Sequence, residues 1–149
     1  MTFELRELYQ EMIIDHNRNP RNHQAMPDAS VQANGFNPLC GDKLTVYVKL
    51  KDSKISEASF LGQGCAISQA SASLMTEALS GKTVQEAHQL FQRFHAMLTR
   101  DDDSNLAALD KLTVLAGVRA YPARVKCATL AWHTLEAALN KEAITVSTE

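Results

Sequence analysis

The chain has no long apolar run. No segment reaches the ~18 consecutive apolar residues that would suggest a membrane span. Residues 1–16 are polar, with Glu4, Arg6, Glu7, Glu11 and Asp15, and lack the apolar stretch of a secretory signal. Basic runs are missing as well. Fifteen Lys and Arg stand against seventeen Asp and Glu, a net charge of −2, which argues against nucleic-acid binding driven by phosphate neutralisation. Cysteine is scarce: three thiols in 149 residues, an odd number that cannot pair off completely in disulfides. A domain of this length buries about 70% of its unfolded surface and needs no staples. Internal repeats and linker-like stretches are also missing. These absences predict one soluble, cytoplasmic domain over residues 1–149, with its core in about 3–140, reduced thiols, and no membrane or nucleic-acid partner. Hydrophobic residues make up 45%, the ordinary globular share, which argues against disorder and against a disulfide scaffold.

What is present reads as α+β. Residues 3–16 carry Leu5, Leu8, Tyr9, Met12 and Ile13 at helical spacing, with Thr2 as cap. Residues 17–38 form a loop-rich connection, with room for a short strand within 30–34. In residues 43–50, Leu44, Val46, Val48 and Leu50 alternate with Thr45, Tyr47 and Lys49. Residues 51–54 turn the chain, and 55–61 complete a hairpin. Residues 66–79 are helical, with a stripe of Ile67, Ala70, Leu74 and Ala78. Thr83 to Glu86 fits a capping box for a helix striped by Val84, Ala87, Phe91, Phe94 and Leu98. After an acidic break at 100–105, residues 106–118 supply one or two helical turns. Pro122 opens a last helix to about residue 140, with Leu130, Leu135, Ala138 and Leu139 inward. The polar tail from Lys141 is expected to fray. The expected fold is a small antiparallel sheet packed by helices.

Cys40, Asp42, Cys65 and Cys127 are the candidate ligands. Three thiols and a carboxylate make four donors, the number a tetrahedral zinc or one iron–sulfur cluster takes from protein. Cys40 sits in a polar turn beside Pro38 and Gly41. Cys65 follows Gly62-Gln63-Gly64 at a helix N-terminus, where a thiolate is favoured. Cys127 lies about one and a half turns into the last helix. The gaps of 25 and 62 residues match no zinc-finger spacing. Pattern alone therefore leaves each cysteine open to a second reading, as a small buried hydrophobe. Asp42 can equally cap a turn. Arg124, on the helical face of Cys127, is either a solvated charge or a group that lowers a thiol pKa and receives an anionic sulfur species. His16, His23, His88, His95 and His133 show no zinc spacing; His133 diverges from Cys127 by about 240° around the helix.

Asn37-Pro38-Leu39-Cys40-Gly41-Asp42, Gly62-Gln63-Gly64-Cys65-Ala66-Ile67-Ser68 and Val125-Lys126-Cys127, in that order, resemble the U-type iron–sulfur assembly family (IscU and SufU). The Leu8-Tyr9-Gln10-Glu11-Met12-Ile13-Ile14-Asp15-His16 segment resembles that family's first helix. The likeness covers about residues 3–140. Ala120-Tyr121-Pro122-Ala123-Arg124-Val125-Lys126 stands where the IscU branch carries its Leu-Pro-Pro-Val-Lys chaperone motif, and Lys126 where that branch has a histidine. Residues 92–115 are also longer than the IscU branch requires. These departures resemble the SufU branch and argue against an Hsp70-type chaperone as partner.

The resemblance implies that Cys40, Asp42, Cys65 and Cys127 bind one Zn²⁺. It implies a SufS-type, pyridoxal-phosphate cysteine desulfurase as partner, whose histidine displaces Cys40 from the zinc. Cys40 then accepts persulfide sulfur, Arg124 assists, and a downstream SUF scaffold or apo-protein receives the sulfur. Two alternatives remain: a scaffold that builds and hands on a [2Fe–2S] cluster, and a desulfurase-docking module with structural zinc.

Overall fold

The computed structural model describes residues 3–100, 102–104, 106–140 and 145–147. The elements run α1 (Phe3–Arg18), β1 (Val31–Asn37), β2 (Asp42–Lys51), β3 (Lys54–Gln63), α2 (Ala66–Leu79), α3 (Val84–Thr99), α4 (Leu106–Leu109), a 3-10 segment (Asp110–Ala120), α5 (Pro122–Leu139) and β4 (Thr145–Ser147). The expected Thr2 cap of α1 lies outside the described residues.

The sheet order is β3-β2-β1-β4. β2 alternates as its sequence predicts: Leu44, Val46 and Val48 are buried between less buried neighbours. Its antiparallel pairing with β3 closes at Lys51↔Lys54 through Asp52 and Ser53, both left-handed at φ 53 and 64, the conformation a two-residue hairpin turn requires. β1 is longer than the strand expected within 30–34, because pairing with β2 carries it on to Asn37↔Asp42. Of the tail expected to fray from Lys141, residues 141–144 and 148–149 lie outside the described residues, and 145–147 form a strand instead. Thr145–Ser147 adds in parallel to β1, at Asn34↔Thr145 through Phe36↔Ser147. An edge strand offers unpaired N–H and C=O groups, and Thr and Val suit a strand.

Helix α5 packs on β1 and β2, while α2 packs on α5, α1 and β3. Trp132, Phe60 and Phe94 are fully buried between these layers; each large apolar side chain contributes ~1.5–3 kcal/mol by burial. The single stripe expected on α2 proves too narrow. Ser68, Ala70, Ser71, Ala72, Ser73, Leu74, Met75 and Thr76 are all buried, so the middle of α2, residues 70–76, is covered on every side, while Ala66 and Glu77 toward its ends are exposed. Its hydroxyls are matched. Ser71 Oγ donates to Ala128 O at 2.5 Å, Thr76 Oγ1 donates to Ser73 O at 2.8 Å, and Ser73 Oγ accepts from Arg21 N at 2.8 Å. Small side chains with satisfied hydroxyls let helices approach closely without stranding polar groups. No helix among the described residues is long and apolar enough to cross a membrane.

Candidate metal centre

Sheet register brings the candidate ligands to one end of the fold. Asn37 closes β1 opposite Asp42, the first residue of β2, and residues 38–41 form the connecting turn that carries Cys40. Gly41 in that turn has φ 72, a left-handed conformation that costs glycine little. On the other side, Lys43 pairs with Gln63, the last residue of β3. Gly64 and Cys65 therefore emerge beside Asp42. A Cβ on Gly64 would collide with Asp42 Oδ1 and lie 3.0 Å from Cγ, so this close approach requires glycine. Cys65 is the N-cap of α2, its Sγ accepting Ser68 N at 3.4 Å. Cys127 arrives from α5.

The four groups are unequally placed. Cys127 Sγ lies 3.1 Å from Cys40 Sγ. Ligand atoms of Cys40, Asp42 and Cys127 all lie within 4.8 Å of one another. Cys65 adjoins this trio through Asp42: its Sγ is 4.0 Å from Oδ2 and its backbone N donates to Oδ1 at 2.8 Å. All three cysteines are free thiols. Asp42 and Cys127 are 0% exposed, whereas Cys40 and Cys65 are half-buried. Arg124 Nη1 stands 3.7 Å from Cys40 Sγ and 4.0 Å from Cys127 Sγ.

The donor set suits a cation. Buried carboxylates are costly unless paired or bound to metal, and among the described residues no Lys or Arg forms a salt bridge with Asp42. Burial, followed by the adjoining Cys40, Cys65 and Asp42, pushes the Cys127 thiol far above its ordinary range. A metal held there would reverse that, because metal coordination favours the thiolate. The Cys127 sulfur first, with the other two thiols, raises the Arg124 pKa, so the guanidinium stays charged.

The histidines lie elsewhere. His16 Nδ1 meets Ser73 Oγ at 2.7 Å, His23 packs on Phe60, His88 pairs with Glu136 at 2.8 Å, and the His95 and His133 rings, on α3 and α5, meet edge to face. Among the described residues, the trio of Cys40, Asp42 and Cys127 is the one group of three or more such side chains with metal-ligand spacing. Residue reasoning had no role for Asn37, although it stands in the quoted motif. It is fully buried, and its Nδ2 donates to Asp42 Oδ2 at 3.1 Å and to Cys127 Sγ at 3.5 Å. In the sequence its one mark is its place three residues ahead of the Cys40-Gly41-Asp42 turn.

The family model of the NifU-like N-terminal domain matches residues 8–143. The chain belongs to that family. This NifU-like chain is 40% identical over 135 residues to the zinc-dependent sulfurtransferase SufU of Bacillus subtilis strain 168, covering 91% of each chain. It is also 40% identical over 134 residues to the iron–sulfur cluster assembly scaffold protein IscU of Thermotoga maritima, covering 90% of this chain and 94% of that one. Among solved structures, an iron–sulfur cluster assembly scaffold protein for the SUF system from Fervidobacterium islandicum AW-1 superposes with a TM-score of 0.83 at 37% identity. That match covers 89% of the NifU-like chain and 97% of its counterpart.

Proposed function

We propose that this chain acts in iron–sulfur cluster assembly as a zinc-dependent sulfur acceptor, taking persulfide sulfur from a cysteine desulfurase onto Cys40. Cys40, Asp42, Cys65 and Cys127 would hold the zinc. Bound there, Zn²⁺ would keep the sulfurs as thiolates at neutral pH. The observation that carries the reading is the asymmetry of the donors. Cys40 rides a half-buried turn, while Asp42 and Cys127 are fully buried on regular elements. Cys65, also half-buried, is tied down by its N–H to Asp42 Oδ1 and by its Sγ capping Ser68 N, which leaves Cys40 as the donor able to leave without disturbing the core.

The chemistry assigned to Cys40 balances as a thiol exchange. Its thiolate attacks the terminal sulfur of the partner's cysteine persulfide. A new S–S bond forms on Cys40, the partner's S–S bond breaks, and the partner cysteine departs as a thiolate. No external oxidant or reductant takes part. Arg124, 3.7 Å from Cys40 Sγ, supplies the positive charge that holds the anionic persulfide. Leu39, 63% exposed beside Cys40, and Tyr121, 65% exposed one turn before Arg124, offer apolar surface to a SufS-type desulfurase. A downstream SUF scaffold or an apo-protein then takes the sulfur.

The test is metal content together with single-turnover persulfide transfer for wild type and Cys40→Ala. Tightly held zinc, with transfer and desulfurase stimulation lost in Cys40→Ala, is expected. A second reading, cluster scaffold, is favoured by the relatives named as scaffolds. A chromophoric [2Fe–2S] cluster that passes to an apo-acceptor would select it. Desulfurase stimulation that survives Cys40→Ala would select a docking module instead.

A further inference from the structure

Asn37 spans the two buried donors. One amide nitrogen reaches Asp42 Oδ2 at 3.1 Å on β2 and Cys127 Sγ at 3.5 Å on α5. Its Oδ1 is buried with no partner among the described residues. A stranded buried acceptor is costly, yet the amide keeps this orientation. Turned over, it would set Oδ1 against the carboxylate and leave the NH₂ group facing no acceptor. The groups it faces therefore dictate which way it points. The other carboxylate oxygen, Oδ1, accepts Cys65 N at 2.8 Å. Asp42 is gripped at both oxygens.

We propose that Asn37 is a positioning residue of the metal centre, a single amide that ties strand-borne Asp42 to helix-borne Cys127 so that both face one ion. The inference rests on the metal-binding reading of the four donors. A neutral donor suits that place. Three thiolates and a carboxylate around a divalent ion leave a formal charge of −2, and N–H groups spread such charge without competing for the ligands. A lysine or arginine at the same position would act as a rival cation.

The test uses the full chain. Asn37→Asp keeps the shape and removes the N–H donor; Asn37→Ala removes the whole amide. Zinc affinity is measured by chelator competition, the cobalt(II)-substituted form by its absorption spectrum, and the metal-free protein by thermal melting. Both variants are expected to bind zinc roughly 10–100-fold more weakly, the range for loss of an outer-shell partner. Asn37→Asp should lose more, because its carboxylate repels Asp42. The cobalt d–d and sulfur-to-cobalt bands should shift in both. If Asn37→Asp does not fold, Asn37→Ala carries the same spectral test. Unchanged affinity and bands overturn the proposal. So does weaker binding that merely tracks lower metal-free stability, with an unchanged cobalt spectrum, since that marks a packing defect. A wild-type chain that takes up neither zinc nor cobalt overturns the metal reading itself and is recognised before any variant is made.

Discussion

Two halves of the ligand cluster lie within a few ångströms of each other and are held in opposite ways. Asp42 and Cys127 are 0% exposed and joined through Asn37, and half-buried Cys65 is fastened to them by its N–H on Asp42 Oδ1 and by capping α2. Cys40 is half-buried on a turn between exposed neighbours, with the 63%-exposed Leu39 on one side and Gly41, at φ 72, on the other. Its nearest cation, Arg124, is also exposed. The buried half has no freedom to rearrange without breaking core packing. The turn has few buried contacts to lose, and low-stability segments of this kind are where displaceable groups reside. A single donor set can therefore combine retention of an ion with release of one sulfur.

The largest contrast should come from removing one sulfur from each half. Cys127→Ala is expected to lose zinc by more than the roughly 10–100-fold typical of an outer-shell change, and to lose sulfur transfer with it. Cys40→Ala should abolish transfer completely while retaining more zinc than Cys127→Ala does. Zinc stoichiometry and chelator competition on the two variants, beside single-turnover transfer, check this. Equal zinc loss in both would erase the distinction between holding and releasing sulfurs.

Gly64→Ala presses on the buried half without removing a ligand. The added Cβ would strike Asp42 Oδ1 and sit 3.1 Å from Asp42 Cβ. Asp42 has a short side chain fixed by Asn37 and by Cys65 N, so it cannot swing aside cheaply. Overpacking of this sort costs ~1–3 kcal/mol. Denaturant titration should show that loss, and zinc affinity should fall with it. A variant as stable and as tight as wild type would mean that the carboxylate is free to move.

Much of the scaffold was legible because its signals are local. Residues 66–79 and the Thr83-Glu86 capping box carry their own periodicity and punctuation, and the structure returns α2 (Ala66–Leu79) and the capping box. The hairpin of β2 and β3 followed from alternation over a few residues. The cluster was not legible in that way. Cys40, Cys65 and Cys127 come together through the Asn37↔Asp42 and Lys43↔Gln63 registers and the packing of α5 on the sheet, none of which leaves a spacing in the chain. Donor type and number nominated those residues, and the family resemblance, not their spacing, joined them into one site. Asn37 was missed for the same reason: an amide in a turn motif reads as a turn residue until its partner on a helix ninety positions away is seen. The encirclement of the middle of α2 and the addition of β4 to the edge of β1 are likewise tertiary events.

The smallest predicted effect supplies the scale for the others. Thr83 caps α3: its Oγ1 accepts Glu86 N at 3.0 Å, while Thr83 N donates to Glu86 Oε1 at 2.9 Å. Neither group belongs to the ligand cluster. Thr83→Ala strands the Glu86 N–H at a helix terminus and should lower stability by ~1 kcal/mol, the usual cost of losing such a cap. Zinc affinity, measured under conditions where both proteins remain folded, should stay at the wild-type value, and so should the cobalt spectrum. General loosening of the fold and specific damage to the metal centre then give different signatures. If Thr83→Ala also weakened zinc binding, affinity would follow global stability, and the division between a rigid half and a releasing half of the cluster would lose its physical basis.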